Sequence, residues 1–367
     1  MPTPPRQRPL RRLAPLCGLL AAALTALLAC LTASAGAAPA AAATASETAR
    51  QGAVTGGAGV RVVRRSRAAA RAVNPLARRA LYLEPTGFAA RQADAWQGSR
   101  PGDADLVRWI AGQPQGLWLG EWHRDVRAVV ARRMRAARAG GTVPVLVIYN
   151  IPDRDCGQHS GGGAPDGPAY LRWIERVAAG IGPGPATVVL EPDALAGLAC
   201  LPRRARAERT ALMAAAVDLL TRGGGTAVYI DAGNPGWVSA RAMARRLRAA
   251  GVTRARGFAL NVSSFETTAR VARYGRAVSR RTGRSHFVVD TSRNGNGPDP
   301  SGAWCNPPGR ALGAAPTTDT GDPLIDAFLW VKRPGESDGT CNGGPPAGTW
   351  WPEYALDLAR RAQIAGH

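Results

Sequence analysis

The sequence predicts an α/β fold: a distorted parallel β/α barrel of the TIM type, incompletely closed, with long C-terminal loops. Two observations carry this. Short continuous apolar runs alternate with amphipathic stretches from about residue 81 onward, as expected for parallel strands covered on both faces by helices. Eight such runs suit a barrel. The alternative, a doubly wound open sheet, normally brings a phosphate-binding glycine turn, and the chain has neither G-x-G-x-x-G nor a Walker lysine.

In chain order, Arg6, Arg8, Arg11 and Arg12 precede an apolar stretch, Leu13–Leu31, and a small-residue site at Ala33-Ser34-Ala35. Residues 1–35 therefore read as an export signal and predict a secreted chain. Leu27-Leu28-Ala29-Cys30 offers lipid anchoring at Cys30 as a minor alternative. Residues 36–73, Ala- and Gly-rich and then Arg-rich, lack periodicity and read as a flexible linker. Residues 74–367 form one domain of about 290 residues, with no further stretch able to span a bilayer.

Within that domain the expected strands are Leu81–Glu84, Gly116–Leu119, Val143–Tyr149, Thr187–Glu191, Ala227–Asp231, Phe258–Val262, His286–Asp290 and Ala327–Lys332. Helical periodicity marks Asp125–Ala139, Ala169–Ala179, Ala205–Thr221 and Ala240–Ala250. Residues 291–326 and 333–352 are loops rich in Gly, Pro, Asn and Trp, of the length that carries function on a barrel.

The net charge of +21 does not predict a nucleic-acid partner. Residues 1–79 contribute +11 of it, and the rest is Arg interspersed with Ala on helix faces, without any recognition-helix, zinc-finger or RNP-like pattern. Lys332 is the only lysine, which marks a place where a compact ammonium suits better than a planar guanidinium. Once the signal is removed four cysteines remain, Cys156, Cys200, Cys305 and Cys341, an even number that predicts two disulfides in any of three pairings. None is spaced as C-x-x-C, so no zinc or other metal is expected.

Polar residues end nearly every expected strand: Asn150 to Asp155, Glu191 to Asp193, Asp231, Asn261, Asp290, and Lys332 with Glu336 and Asp338. In a parallel barrel these ends share one face, so distant carboxylates converge. With no H-E-x-x-H, no G-x-S-x-G and only four histidines, metalloprotease and serine-hydrolase chemistry is disfavoured. Carboxylates amid ten tryptophans describe a sugar site, where one acid protonates a leaving oxygen and another group handles water. Trp109 and Trp173 sit in helical patterns and read as core; Trp118, Trp122, Trp237, Trp304 and Trp350 flank loops and read as sugar platforms.

Four segments carry a resemblance: Tyr149-Asn150-Ile151-Pro152-Asp153-Arg154-Asp155-Cys156, Leu190-Glu191-Pro192-Asp193-Ala194-Leu195, Tyr229-Ile230-Asp231-Ala232-Gly233, and Trp330-Val331-Lys332-Arg333-Pro334-Gly335-Glu336-Ser337-Asp338-Gly339. The chain resembles glycoside hydrolase family 6, the family of endoglucanases and cellobiohydrolases, from about Asn74 to its end. The resemblance implies an inverting β-1,4-glucanase that needs no cofactor, acts on a β-1,4-glucan and is a monomer. By position Asp193 would be the general acid, and Asp155 beside it would raise its pKa and organise water. Tyr149 would press on the distorted sugar, and Asp338 is the candidate base. Lys332, Glu336, Asp231 and Asn261 would bind sugar hydroxyls, and Trp118, Trp237 and Trp304 would stack. Cys156 would pair with Cys200 and Cys305 with Cys341. Asn150 stands where the family is often acidic, and Asn234 where histidine is common. Short segments after Cys200 and at Asn342–Pro352 predict an open cleft and internal cleavage. The alternatives are action at chain ends or a non-catalytic glucan-binding protein.

Overall fold

A computed structural model describes residues 73–364; the expected export signal, Cys30 and nearly all of the linker lie outside the described residues. Seven strands form a single all-parallel sheet in sequential order: β1 Leu117–Leu119, β2 Val145–Ile148, β3 Ala186–Leu190, β4 Thr226–Asp231, β5 Gly257–Leu260, β6 His286–Asp290 and β7 Ile325–Leu329. Among the described residues two helices precede β1, α1 Phe88–Trp96 and α2 Pro101–Ala111. Each crossover from β1 to β6 carries one helix, in order α3 Val126–Ala139, α4 Gly167–Ile181, α5 Arg203–Thr221, α6 Ala240–Ala249 and α7 Thr268–Ser279, and α8 Pro352–Ile364 closes the described chain. Only a long loop joins β6 to β7.

The helices start where short polar side chains can take the orphan N–H groups. Asp125, Asp166, Ser239 and Thr267 accept bonds from the N–H groups of Ala128, Ala169, Ala242 and Arg270. Side-chain alternation along the strands then divides the apolar mass in two. Leu146, Ile148, Val188, Leu190, Ile230 and Leu260 face the helices, whereas Val147, Val189, Tyr229, Ala259, Val288 and Leu329 fill the barrel. Both strand faces are therefore buried, as the continuous apolar runs predict.

The barrel is not closed. β1 and β7 meet only at a bridge between Gln115 and Trp330, with the Gly116 N–H donating to the Trp330 carbonyl at 2.9 Å. The expected first strand, Leu81–Glu84, reduces to one bridge from Leu81 to Val143. The run ends at Pro85 and its Leu83 is exposed, so no described residue buries its second face. Instead α1, α2 and α8 share a separate apolar cluster that covers Trp330 beside the seam. Trp109, expected in the core, is 40% exposed and touches Trp330 only edge-on at 5.6 Å. Trp173 packs half-buried against the main core.

The disulfides are Cys156–Cys200 and Cys305–Cys341. Each ties together two loops at the strands' C-terminal ends. They close 44 and 36 residues of chain, worth about 4 kcal/mol each in the chain-entropy view. No helix among the described residues is long and apolar enough to cross a membrane.

Candidate active site

The floor of the site is a ring of buried strand-end side chains, five of which bond to backbone while the Asn150 Oδ1 has no partner among the described residues. Asn150, Glu191, Asp231, Asn261, Asp290 and Lys332 are all at most 8% exposed. The Glu191 carboxylate accepts the N–H groups of Asn150 (3.0 Å) and Ile151 (3.1 Å), holding the loop after β2 against the end of β3. Asp231 accepts the N–H of Asp193 (3.0 Å) and of Gly233 (3.0 Å). Asp290 accepts four backbone N–H groups, from Ser263, Ser292, Val331 and Lys332. The Asn261 amide bonds the carbonyls of Glu266 and Asp290. Asp231 and Asn261 are fully buried and lie in the floor rather than along the cavity where sugar hydroxyls were expected to meet them: the Asn261 amide and the Asp231 Oδ2 are taken by backbone groups, and the Asp231 Oδ1 has no partner among the described residues.

Holding so many groups at strand ends bends the backbone. Asp153, Asp155, Cys156, Glu191, Asp193, Asn261 and Ser263 all have φ between +51° and +70°, and they are seven of the eleven non-glycine residues with positive φ among those described. Each such residue costs on the order of 1 kcal/mol or more and persists because the surrounding bonds over-determine it.

Above this floor lies a cavity of about 830 Å³. Asp193, Asp155, Tyr149, Asp338, Lys332 and Glu336 line it, with Trp118, Trp122, Trp237 and Trp304 along its walls. The last three rings are about half exposed. Gly120 makes room for Trp122: a Cβ there would stand 2.2 Å from the indole. Trp350, expected as a platform, is not in this cavity; it stacks on Phe88 at 6.2 Å.

The aspartates differ sharply in environment. Burial pushes Asp193 well above the ordinary carboxylate range, and the like charges of Asp231, Asp155 and Asp338 add to it against an opposing pull from Lys332. Asp231 thus acts on Asp193 ahead of Asp155, the neighbour that the family resemblance implies. Burial also raises Asp155, whose carboxylate accepts the Ser160 N–H at 2.9 Å, and raises Asp231 and Glu191 to about 7. Asp338 goes the other way. Burial alone would raise it, but Arg293 at 2.8 Å and Lys332 at 3.0 Å outweigh that and hold it at about 2.

Tyr149 stands edge-on to Trp118 at 5.2 Å, and burial keeps its hydroxyl protonated. Glu336, also raised by burial, is paired with Arg333 at 2.6 Å. Three supporting residues had no role assigned from sequence. Glu191 stands inside a quoted segment. Buried Arg154 bonds Glu121, the Tyr149 carbonyl and the Ser160 carbonyl, fixing the loop that carries Asp155. Arg293 lies next to the end of β6, and its pairing with Asp338 spans 45 residues. The one His/Cys group close enough to hold a metal among the described residues, His159 with Cys305 and Cys341, has its sulfurs joined in a disulfide.

An aromatic-walled groove over two aspartates whose surroundings shift them in opposite directions is the arrangement that carbohydrate-cleaving sites use. The model of the glycosyl hydrolases family 6 matches residues 76–362. The chain belongs to that family. It is 47% identical over 284 residues to Endoglucanase A of Cellulomonas fimi, covering 77% of this chain and 61% of that protein. Against Endoglucanase 1 of Streptomyces halstedii it is 42% identical over 289 residues, covering 76% and 87%. The chain spans about three fifths of the length of Endoglucanase A from C. fimi and from Thermobispora bispora. Among solved structures it is similar to the endoglucanase Cel6 from Mycobacterium tuberculosis in complex with a methyl-cellobiosyl-4-deoxy-4-thio-β-D-cellobioside. The TM-score is 0.77 and the identity 49%, covering 79% of this chain and 100% of that one.

Proposed function

We propose that this glycoside hydrolase is a secreted endo-β-1,4-glucanase that cleaves internal bonds of cellulose-like chains with inversion. The observation that carries this reading is the split between two aspartates in one cavity, Asp193 raised and Asp338 held at about 2. Asp193, its pKa raised by burial and by neighbouring carboxyl groups, gives its proton to the bridging oxygen as the bond breaks. Positive charge then builds on the sugar ring, and the negative charges of Asp338 and Asp155 stabilise it. Water adds to the opposite face. The oxonium so formed is far more acidic than any carboxylic acid, so even a carboxylate of pKa about 2 is a competent final acceptor, directly or through a second water.

Tyr149 and Trp118, edge to face, form the wall against which the reacting ring distorts. Lys332 and Glu336 bind hydroxyls, and Trp237 and Trp304 stack sugar faces. Asp231, Asn261 and Glu191 act through the backbone as positioning residues. Internal cleavage is supported by the open cavity and by the names of the relatives at 42–47% identity, all endoglucanases, whereas proteins named exoglucanase stand near 30%. Secretion is supported by the two disulfides and the sequence of residues 1–35. Residues 74–367 are the catalytic domain in this reading.

The test is hydrolysis of a soluble β-1,4-glucan followed by NMR of the new anomeric centre. A fast fall in chain length with α-configured new ends is expected. Release of β-configured ends, or of disaccharide alone without shortening of the polymer, overturns the mechanism or the mode of attack respectively.

A further inference from the structure

A second cavity, of about 360 Å³, lies at the seam that β1 and β7 leave unpaired. That volume falls at the low end for small-molecule sites and suits a single sugar ring. Arg333 lines both this cavity and the glucan cleft, so the two are neighbours across one side chain. Its apolar wall is the Phe88–Trp350 pair, stacked within 10° of parallel.

The charge around it is one-sided. Arg91, Arg132, Arg133 and Arg333 line the cavity against a single carboxylate, Glu84. Glu84 is taken by Arg133 at 2.6 Å, and Arg333 is paired with Glu336 on the cleft side. Arg91 lies over the Phe88 ring and donates to the neutral Thr86 carbonyl, so its charge is not compensated. Arg132 is exposed and has no ion-pair partner among the described residues. Two guanidinium charges therefore converge on a ring-sized space with an aromatic wall and no free acid. Guanidinium forks match carboxylates, and aromatic faces match sugar rings.

We propose that this side pocket binds a carboxylate-bearing sugar residue, a uronic acid within a glucan chain or an aldonic acid at its end, through Arg91 and Arg132 against Phe88 and Trp350. That the carboxylate arrives on a glucan rests on the function proposed above; that the pocket takes an anionic sugar does not. The pocket lets the enzyme hold oxidised or acidic glucan at a position adjoining the cleft.

The test is calorimetric titration of the full chain carrying Asp193→Ala with three trisaccharides at low salt: cellotriose, its analogue with a terminal glucuronic acid, and its analogue ending in an aldonic acid. At least one acidic sugar should bind roughly tenfold more tightly than cellotriose, and the arm that does so names the source. The preference should vanish in Arg91→Ala/Arg132→Ala. In the Asp193 background the same double change should leave neutral-glucan hydrolysis unaltered, showing an intact fold and cleft. Equal affinity for all three sugars, or a preference that survives the double change, overturns the proposal. Free glucuronate followed by NMR line broadening, with and without the double change, tests the pocket even if the chain hydrolyses no glucan.

Discussion

Asp193 and Asp338 carry the same side chain into the same cavity, and their surroundings shift their acidities in opposite directions. Around Asp193 the neighbours are burial and three further carboxyl groups. Around Asp338 they are a fully buried guanidinium, the chain's only ammonium and the Asn306 N–H. The contrast teaches that residue type fixes which proton chemistry is available, while the charges placed within a few ångströms decide which half of it a group performs. It also gives the lone lysine a physical reason: Lys332 reaches the Ser337 carbonyl and the Asp338 carboxylate as a compact donor.

The sharpest way to break the contrast is Asp193→Asn, which removes the proton but keeps the shape. We expect kcat on a glucan to fall about 10²–10⁴-fold. A substrate whose leaving group needs no protonation should recover most of that loss. An equal loss on both substrates would remove Asp193 as the acid.

Next in size is Arg293→Met. It strips Asp338 of its buried partner and should cost about 3–5 kcal/mol in denaturant unfolding. The pKa of Asp338 should rise with it, moving the acid limb of the kcat/KM profile upward. Because the folded pKa of Asp338 lies below its unfolded value, its stabilising contribution is complete above about 4 and fades as pH falls toward about 2. Arg293→Met should flatten that part of the stability curve. An acid limb that does not move would detach Asp338 from the profile.

A third test lies on the raised side. Glu191 is held near 7 by burial, so stability should decline as pH climbs from about 4.5 to about 7, where the unfolded chain releases a proton that the native carboxyl keeps. The swing from this group alone is roughly 3 kcal/mol. Glu191→Gln should remove that slope, read from unfolding midpoints across pH, and it should lower kcat more than it raises KM, because the loop bearing Tyr149 and Asp155 loses one of its acceptors. An unchanged slope would show that Glu191 does not titrate there.

The smallest effects belong to the walls. Trp237→Ala and Trp304→Ala each remove an exposed ring and should cost about 1 kcal/mol of glucan binding, seen as a KM about fivefold higher with kcat nearly unchanged. A collapse of kcat instead would place that ring at the reacting sugar.

Much of the fold and part of the site were legible in the sequence, for identifiable reasons. Seven parallel strands bury both faces, so their apolar runs stood out, and the strand-end position of every floor residue followed from where those runs stop. The run at Leu81 misled because length and hydrophobicity do not report whether a second face finds cover. Helices α1 and α2 carry a weak pattern because they are short and bury few residues, Ala89 and Ala93 in α1 and Ala104, Val107 and Ile110 in α2. At Asp231 and Asn261 the sequence located the residue but could not tell an upward side chain from one turned sideways onto a loop. Trp350 and the side pocket depend on contacts between segments more than 200 residues apart, such as Phe88 with Trp350, which no local pattern encodes.

The left-handed backbone of the site has an evolutionary consequence. Among non-glycine residues that conformation is best tolerated by asparagine and aspartate, whose short side chains bond locally. At Asp155 and Asp193 geometry therefore screens candidates before reactivity does: glutamate offers the same functional group but carries an added torsional penalty. Glu191 breaks this rule only where three backbone contacts lock it in place. Variants surviving at these two positions should be drawn mostly from Asp, Asn and Gly, so the route from hydrolase to inert sugar binder is a single amide substitution.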